Sequence, residues 1–170
     1  VNKDRFICDM YDVMFPSECR YDGGAYQRYV DMYPYFYRIT NMKGIRTSFS
    51  GPGGFYSHNA FEASIMRDRV KFKNYMDLIK KALKESYFIN PREKKKALVY
   101  CSTIEMCTFL TKYLQGLYPM LDVRRYVGED PYENMIEPDI RVSTIGSGST
   151  AFDIPDLTTV IMTQAIDSIQ

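Results

Sequence analysis

The segment 146–150 has the residue types in this chain that are best suited to binding a ligand. It reads Gly-Ser-Gly-Ser-Thr and lies between two runs rich in β-branched residues, 140–145 and 160–162. Such runs are typical of strands that are buried on both faces of a parallel sheet. A polar segment at a strand end can present backbone amides and hydroxyls, and open parallel α/β sheets bind ligands at the carboxyl ends of their strands. We therefore predict a ligand-binding loop after the strand that begins at Ile140.

Cys101 is a second candidate for chemistry, because the pattern places it at the end of a strand and directly before a helix. A thiolate nucleophile at such a position needs free amides and an arginine to hold an oxyanion. The following residues, Ser-Thr-Ile-Glu-Met-Cys, contain no arginine and place Glu105 where the anion would bind. Since free cysteine is among the most buried residue types, we interpret Cys101 as a structural residue.

The sequence offers little for a metal site or a standard phosphate loop. The cysteines Cys8, Cys19, Cys101 and Cys107 form no CxxC pair, and His58 is the only histidine, which disfavours zinc. We interpret His58 as structural or solvent-exposed. Neither a GxGxxG nor a GxxxxGK[ST] pattern follows any predicted strand.

Composition favours one globular domain with its own core. The chain has 170 residues, of which 45% are hydrophobic and 15% aromatic. A net charge of +1 gives no overall field for nucleic acid or a membrane surface, so any phosphate site must be local. The apolar runs are too short for a membrane span, and no signal peptide follows Val1. We therefore expect an intracellular, cytoplasmic protein with reduced thiols.

The first third of the chain is the hardest part to interpret. An amphipathic pattern predicts an entry helix over 1–16, and 17–56 forms an aromatic, glycine-rich irregular segment with a loop signal at 51–54. The best candidate strand there is 33–39. Its tyrosines are either part of the core or sheet surface, or a platform on which bases stack.

From residue 57 to residue 170 the pattern predicts an α/β core. Two pairs, Asn59 with Glu62 and Ser102 with Glu105, have the spacing of capping boxes that start helices. Strands that alternate with helices indicate parallel βαβ units with right-handed crossovers. We therefore predict a three-layer α/β domain with a mostly parallel central sheet. The other predicted elements are a helix over 72–83, strands at 97–101 and 121–127, a helix over 106–117, and strands at 140–145 and 160–162.

Residues 97–164 resemble the second, C-terminal RecA-like domain of superfamily 2 helicases, and phage and bacterial DNA-translocating members in particular. The resemblance lies in the segments ALVYCST at 97–103, YVG at 126–128, IRVSTIGSGSTAFDIPDL at 140–157 and VIM at 160–162. In that family the first strand with its Ser/Thr end is motif IV, and the long polar loop that ends in Asp is motif V. The entry helix resembles what commonly follows motif III, whereas 17–56 shows no match.

Five residues stand at the ends of predicted strands, on the edge that the resemblance implies for nucleic acid. Hydroxyls and free amides at such an edge suit a sugar-phosphate backbone, and contacts of this kind ignore base sequence. The resemblance implies single- or double-stranded nucleic acid as the partner and favours DNA over RNA, with both left open. The predicted nucleic-acid-binding residues are Ser102, Thr103, Gly128, Thr144 and Gly146.

The resemblance also implies nucleotide-binding residues, namely Ser149, Thr150 and Asp153. Their match is to the part of motif V that faces the nucleotide, where a carboxylate accepts a hydrogen bond from a ribose hydroxyl. The alternative for Asp153 is a turn or cap residue before Ile154 and Pro155. This chain has Thr-Ala-Phe-Asp at 150–153 where the family usually has Arg-Gly-x-Asp, so the family's arginine is missing here.

The resemblance to helicases implies a second lobe. With no Walker A or Walker B motif in the chain, ATP and Mg²⁺ are expected to be held mainly by an N-terminal RecA-like lobe of the same polypeptide. Motif VI is expected at or just beyond residue 170. We therefore expect no ATP hydrolysis by the chain alone and no catalytic residue within it. The alternative is a noncatalytic α/β module that binds phosphate or protein.

Overall fold

In the computed structural model, two helices follow one another from residue 58, and helices and strands alternate from residue 69 to residue 162. The structure describes residue 13 and the ranges 30–48, 56–89, 95–148 and 153–164. The loop at 51–54 and all of the predicted entry helix except residue 13 therefore lie outside the described residues. The chain divides into two units, Val1–Pro34 and Tyr35–Gln170, and every element below belongs to the second.

The elements are numbered here in chain order. None of the helices within the described ranges is long and apolar enough to cross a bilayer. The helices and strands are α1 His58–Ile65, α2 Arg69–Ser86, β1 Lys96–Cys101, α3 Ile104–Leu117, β2 Val123–Tyr126, α4 Glu133–Ile136, β3 Ile140–Thr144, α5 Ile145–Gly148 and β4 Leu157–Met162.

The four strands form one sheet in the order β2-β3-β1-β4, and every neighbouring pair is parallel. Val99 of β1 lies beside Val142 of β3 on one side and Ile161 of β4 on the other. Helices lie on both faces of the sheet. The prediction of a three-layer α/β fold with a parallel central sheet is therefore confirmed, and all four strands end at the same edge.

One face of the sheet carries the main core. Alternate residues of β1, namely Ala97, Val99 and Cys101, are fully buried against α2 and α3. Alternation puts every second residue of a strand on the same face, and each large apolar side chain buried there contributes about 1.5–3 kcal/mol. In α3 the spacing of Phe109 fits the apolar stripe of the helix, but this ring is 48% exposed. Cys107 is buried in its place, because the helix turns the 106, 110 and 114 row toward the sheet.

The opposite face of the sheet is smaller and more polar. Leu98, Met135 and Ile154 form its apolar cluster. Arg141 of β3 is fully buried, and its Nη2 donates to the backbone oxygen of Pro138. Its Nε and Nη1 have no hydrogen-bond partner among the described residues. Burial lowers the pKa of Arg141 to about 10, because removing the guanidinium from water disfavours its charged form.

Both predicted capping boxes are wrong by one or two residues. Helix α1 is capped by Ser57, whose hydroxyl accepts a hydrogen bond from Ala60 N at 3.3 Å. Helix α3 is capped by Thr103, which accepts from Met106 N at 3.2 Å. Neighbouring hydroxyl residues can all satisfy the cap chemistry, so spacing alone does not choose among them. Glu62 is therefore not part of a capping box with Asn59.

The predicted strand at 33–39 is also wrong. The segment shows no strand pairing, although Tyr37 and Ile39 are partly buried with exposed Arg38 between them. Alternation of this kind indicates a half-buried extended segment, but a strand also needs a neighbour to receive its hydrogen bonds. Tyr37 is instead held by side-chain contacts, with its hydroxyl donating to the backbone oxygen of Lys71 at 2.7 Å.

Candidate functional site

The structure brings the five predicted nucleic-acid-binding residues to one edge of the sheet, the carboxyl edge. Because β1 and β3 are in parallel register with Cys101 beside Thr144, the residues that follow the two strands start from neighbouring positions. Strand β2 ends beside β3, with Tyr126 next to Ser143. The edge residues from the prediction are Ser102 and Thr103 after β1, Gly128 after β2, and Thr144 and Gly146 at the end of β3 and in α5.

The ends of β2 and β3 form one part of this edge, which we term the open half: Gly128, Thr144, Gly146 and Ser147. Gly128 and Gly146 are exposed. The Ser147 hydroxyl accepts hydrogen bonds from Gly128 N at 3.2 Å and from the Thr144 hydroxyl at 3.0 Å. A serine hydroxyl has one proton and two lone pairs, so two accepted bonds leave its proton for another acceptor. The open half therefore presents a donor next to exposed backbone.

Two features of local structure position the open half. The Thr144 hydroxyl accepts from Ser147 N at 3.2 Å, so the segment after β3 turns back on the strand end. This segment is the single helical turn α5, not the plain loop predicted for 146–150. Gly128 has φ = 56°, a left-handed conformation that glycine adopts without strain.

The ends of β1 and β4 form the closed half of the edge, which consists of Ser102, Thr103 and Thr163. Its centre is Glu62 of α1, which is fully buried. The Glu62 carboxylate accepts from Ser102 N at 3.0 Å, from Thr103 N at 2.9 Å and from the Thr103 hydroxyl at 3.1 Å. The Thr163 hydroxyl donates to Glu62 Oε1 at 3.1 Å. The prediction of free amides after β1 is therefore wrong, because an internal carboxylate already satisfies them.

The hydroxyls of the closed half are also engaged within the protein. Thr103 donates to Glu62 and at the same time caps α3. The Ser102 hydroxyl donates to Oδ1 of the exposed Asn59. The Thr103 hydroxyl thus has its proton and one lone pair committed to Glu62 and to α3.

A histidine and two tyrosines surround the remaining side of Glu62. His58 Nε2 lies 3.5 Å from Glu62 Oε1, and the His58 side chain is only 9% exposed. Its Nδ1 lies 2.6 Å from the Tyr56 hydroxyl, and its Nε2 lies 3.5 Å from the Tyr75 hydroxyl. Burial and the nearby Glu62 raise the pKa of Tyr75. Of the two roles considered for His58, the packing supports the structural one.

The cysteine at the end of β1 is part of the core. Cys101 and Cys107 are both buried free thiols. Hydrogen bonding to Cys107 and burial raise the pKa of the Cys101 thiol well above its ordinary value. A thiol whose pKa is raised forms little thiolate, which is the nucleophilic species. The expectation that Cys101 is buried and structural is confirmed.

The structure does not bring Asp153, one of the three predicted nucleotide-binding residues, to the carboxyl edge. Ser149 and Thr150 lie outside the described residues. Asp153 is exposed and precedes β4, whose first residues lie beside the start of β1, where Lys96 N donates to Asp156 O at 2.9 Å. It therefore approaches the opposite edge of the sheet. Within the described ranges, no three His, Cys, Asp or Glu side chains group together as a metal site would require.

A separate open groove lies on the β2 side of α3. It is lined in part by Lys112, Arg124 and Arg125. Arg125 makes a two-bond ion pair with Asp130 at 2.9 Å, and Arg124 pairs with Asp122 and Glu137. The arginines of this groove are thus already paired within the protein.

Three residues of the edge were missed as individual site residues: Glu62, Ser147 and Thr163. Glu62 was assigned to a capping box, and Ser147 was considered only as part of a polar segment. The signal for Glu62 was available in part, since Ser57 as cap places it one turn into α1 and next to the apolar Phe61. Its partners lie 40 and more positions away along the chain, which no local pattern reveals.

Comparison of the chain with protein-family models, with curated proteins and with solved structures gives no match.

Proposed function

We propose that this chain is the C-terminal motor lobe of an ATP-dependent nucleic-acid helicase or translocase. The observation that carries the proposal is that Gly128, Thr144 and Gly146, three of the five predicted backbone-contact residues, lie at the open half of the carboxyl edge of a parallel sheet. Parallel α/β sheets bind their ligands at this edge. The motif-like segments at 97–103 and 140–157 support the same function independently of the geometry.

The open half of the edge is the part that contacts a phosphate. Ser147 keeps a hydroxyl proton for an outside oxygen, and Gly128 and Gly146 on either side of it are exposed. Such contacts position a nucleic-acid strand without reading its bases. The open half contains no lysine or arginine, so few phosphates are neutralised there and we expect a shallow salt dependence of binding.

ATP and Mg²⁺ belong to the proposal through the second lobe. That lobe holds the nucleotide, and ATP supplies the free energy of phosphoryl transfer when it is bound between the lobes. Of the nucleotide-binding residues that the resemblance implies, Asp153 approaches the opposite edge of the sheet, so the proposal gives the carboxyl edge of this chain only the nucleic-acid contacts. Closure and opening of the lobes then move the carboxyl edge along the strand.

The test is an ATPase assay of the chain alone and of the chain joined to its natural upstream lobe, each with and without single-stranded DNA. We expect turnover only in the joined protein, with stimulation by DNA. Robust turnover by the purified chain, or no stimulation of the joined protein, would contradict the proposal.

Binding of a fluorescein-labelled single-stranded DNA oligonucleotide tests the edge directly. Thr144→Val removes the hydroxyl that orients Ser147 and should weaken binding by about threefold to tenfold, similarly for different base sequences. Thr158→Val is the matched control, because Thr158 is an exposed strand residue near the start of β4. Equal losses in both variants would show that the edge has no special part in binding.

A further inference from the structure

The most heavily bonded polar side chain at the carboxyl edge is one that the predicted contact set does not include. Glu62 is fully buried and accepts hydrogen bonds from two backbone amides and two hydroxyls. These donors come from the segment after β1 and from Thr163 after β4. Because burial of a carboxylate is costly unless it is hydrogen-bonded, such a residue fixes its donors closely in place.

Glu62 joins parts of the chain that are otherwise held apart in sequence. It lies 40 positions from Ser102 and 101 positions from Thr163. Its helix α1 packs beside α2, while its carboxylate faces the ends of β1 and β4. A shift of either strand end must therefore move the carboxylate or break one of its bonds.

The donors from Ser102 and Thr103 belong to the amino terminus of α3, where free amides and the helix dipole favour an anion. In this chain the anion at the amino terminus of α3 is the carboxylate of Glu62. A nucleic-acid phosphate would meet a filled position and a negative charge there, whereas the neighbouring open half offers an exposed donor on Ser147. The Glu62 carboxylate thus excludes a phosphate from the closed half. It also holds the end of β1, which supports the open half because Cys101 lies beside Thr144.

We infer that Glu62 is the positioning residue of the nucleic-acid-contact edge. It fixes the ends of β1 and β4 relative to each other, and the fixed end of β1 supports the neighbouring open half, which binds phosphate. The inference rests on the proposed function. Thr163 acts through Glu62, so a change at the end of β4 alters nucleic-acid binding without touching the nucleic acid.

Neutralising Glu62 should change the affinity for DNA in opposite directions, depending on whether Glu62 positions the edge or only repels phosphate. Glu62→Gln keeps the size of the side chain but replaces one acceptor oxygen with an NH₂ group. This group cannot accept a hydrogen bond from the Ser102 or Thr103 amide. Positioning predicts that the affinity for labelled single-stranded DNA falls by about tenfold. Loss of a nearby negative charge alone would raise it. Glu105→Gln is the matched control, an exposed carboxylate in the first turn of α3, and it should leave affinity unchanged or slightly raised.

Thr163 provides a second test that does not depend on the folding of the Glu62 variant. Thr163→Val loses the hydroxyl that donates to Glu62 and should weaken DNA binding by about threefold or more, whereas Thr163→Ser should restore it. In the Glu62→Gln background, Thr163→Val should have no further effect. Additive losses would show that Thr163 does not act through Glu62.

The outcomes separate the inference from the proposed function. If the unaltered chain fails to bind the oligonucleotide, with or without its upstream lobe, the proposed function fails and the positioning role with it. If the unaltered chain binds but Glu62→Gln and Thr163→Val bind equally well, the positioning role alone is overturned. Weakened binding in Glu62→Gln and Thr163→Val, with the Glu105 control and Thr163→Ser unaffected, supports it.

Discussion

The two halves of the carboxyl edge have similar residue types but different surroundings. In the closed half the donors of Ser102 and Thr103 are taken up by the buried carboxylate of Glu62. In the open half the Gly128 amide donates to the Ser147 hydroxyl, which keeps its own proton for an outside acceptor, and the glycines are exposed. The difference teaches that small residues and hydroxyls at a strand end do not by themselves make a binding site. Whether a distant side chain has already satisfied them decides their role.

The largest effect on this comparison should come from removing the carboxylate of the closed half. Glu62→Ala leaves buried amides and hydroxyls without an acceptor, and each such group costs about 1–3 kcal/mol. We expect the free energy of unfolding to fall by about 3 kcal/mol or more, measured by urea denaturation. The exposed Glu105→Ala should cost less than about 1 kcal/mol, mainly through the helix dipole. Equal losses for the two variants would mean that Glu62 is not specifically bonded.

A glycine pair tests the packing below the open half. A Cβ at Gly148 would lie 2.7 Å from Tyr100 Cε1 and 3.0 Å from Ser143 Oγ, whereas one at Gly146 would have nothing within 4 Å. Gly148→Ala should therefore destabilise the protein by about 1–3 kcal/mol through overpacking. Gly146→Ala should change stability by less than about 0.5 kcal/mol. Thermal melts of the two variants provide the measurement, and a larger loss for Gly146→Ala would contradict the described packing of α5.

The two threonines of the edge should separate stability from binding. Thr103→Val removes the cap of α3 and a bond to Glu62, so unfolding free energy should fall by about 0.5–2 kcal/mol. Thr144→Val should instead act mainly on oligonucleotide binding. Urea denaturation gives the free energy of unfolding of each variant, and fluorescence titration gives its affinity for the oligonucleotide. The distinction between the halves fails if Thr103→Val weakens binding as much as Thr144→Val while stability stays unchanged.

Alkaline pH should reveal the buried tyrosine beside the closed half. Burial raises the pKa of Tyr75 above its ordinary value near 10.0. For a group whose folded pKa is raised, the contribution to stability is complete below the unfolded pKa and is lost as pH rises toward the folded pKa. Tyr75→Phe should therefore make the loss of stability above about pH 10 shallower, at a cost near neutral pH of about 0.5–1.5 kcal/mol. Identical pH profiles from pH-dependent melts would show that Tyr75 is not buried as described.

Much of the α/β core could be predicted from the sequence. The runs around Val99 and Val142 and the helical stripe through Met76, Ile79 and Leu83 are strong periodic signals, and their burial is confirmed. Parallel strands also placed the candidate residues on one edge. Strand order was not predicted, because pairing depends on contacts distant in sequence.

Local chemistry was the weaker part of the prediction. Capping spacing fits several neighbouring hydroxyl residues, so Asn59 was preferred over Ser57. Glu62 then received a local role, although its partners lie after β1 and β4. The short turn α5 was missed because two of its four residues are glycines, which disfavour helices.

The central claim is that nucleic acid binds at the open half of the carboxyl edge, and an amide-resolved NMR titration tests it most directly. The chain would be titrated with a single-stranded DNA oligonucleotide and the backbone amide shifts followed residue by residue. We predict the largest changes at Gly128, Gly146 and Ser147, while Ser102 and Thr103 keep the shifts set by Glu62. The largest changes at the groove around Lys112, or at Ser102 and Thr103 themselves, would contradict the account.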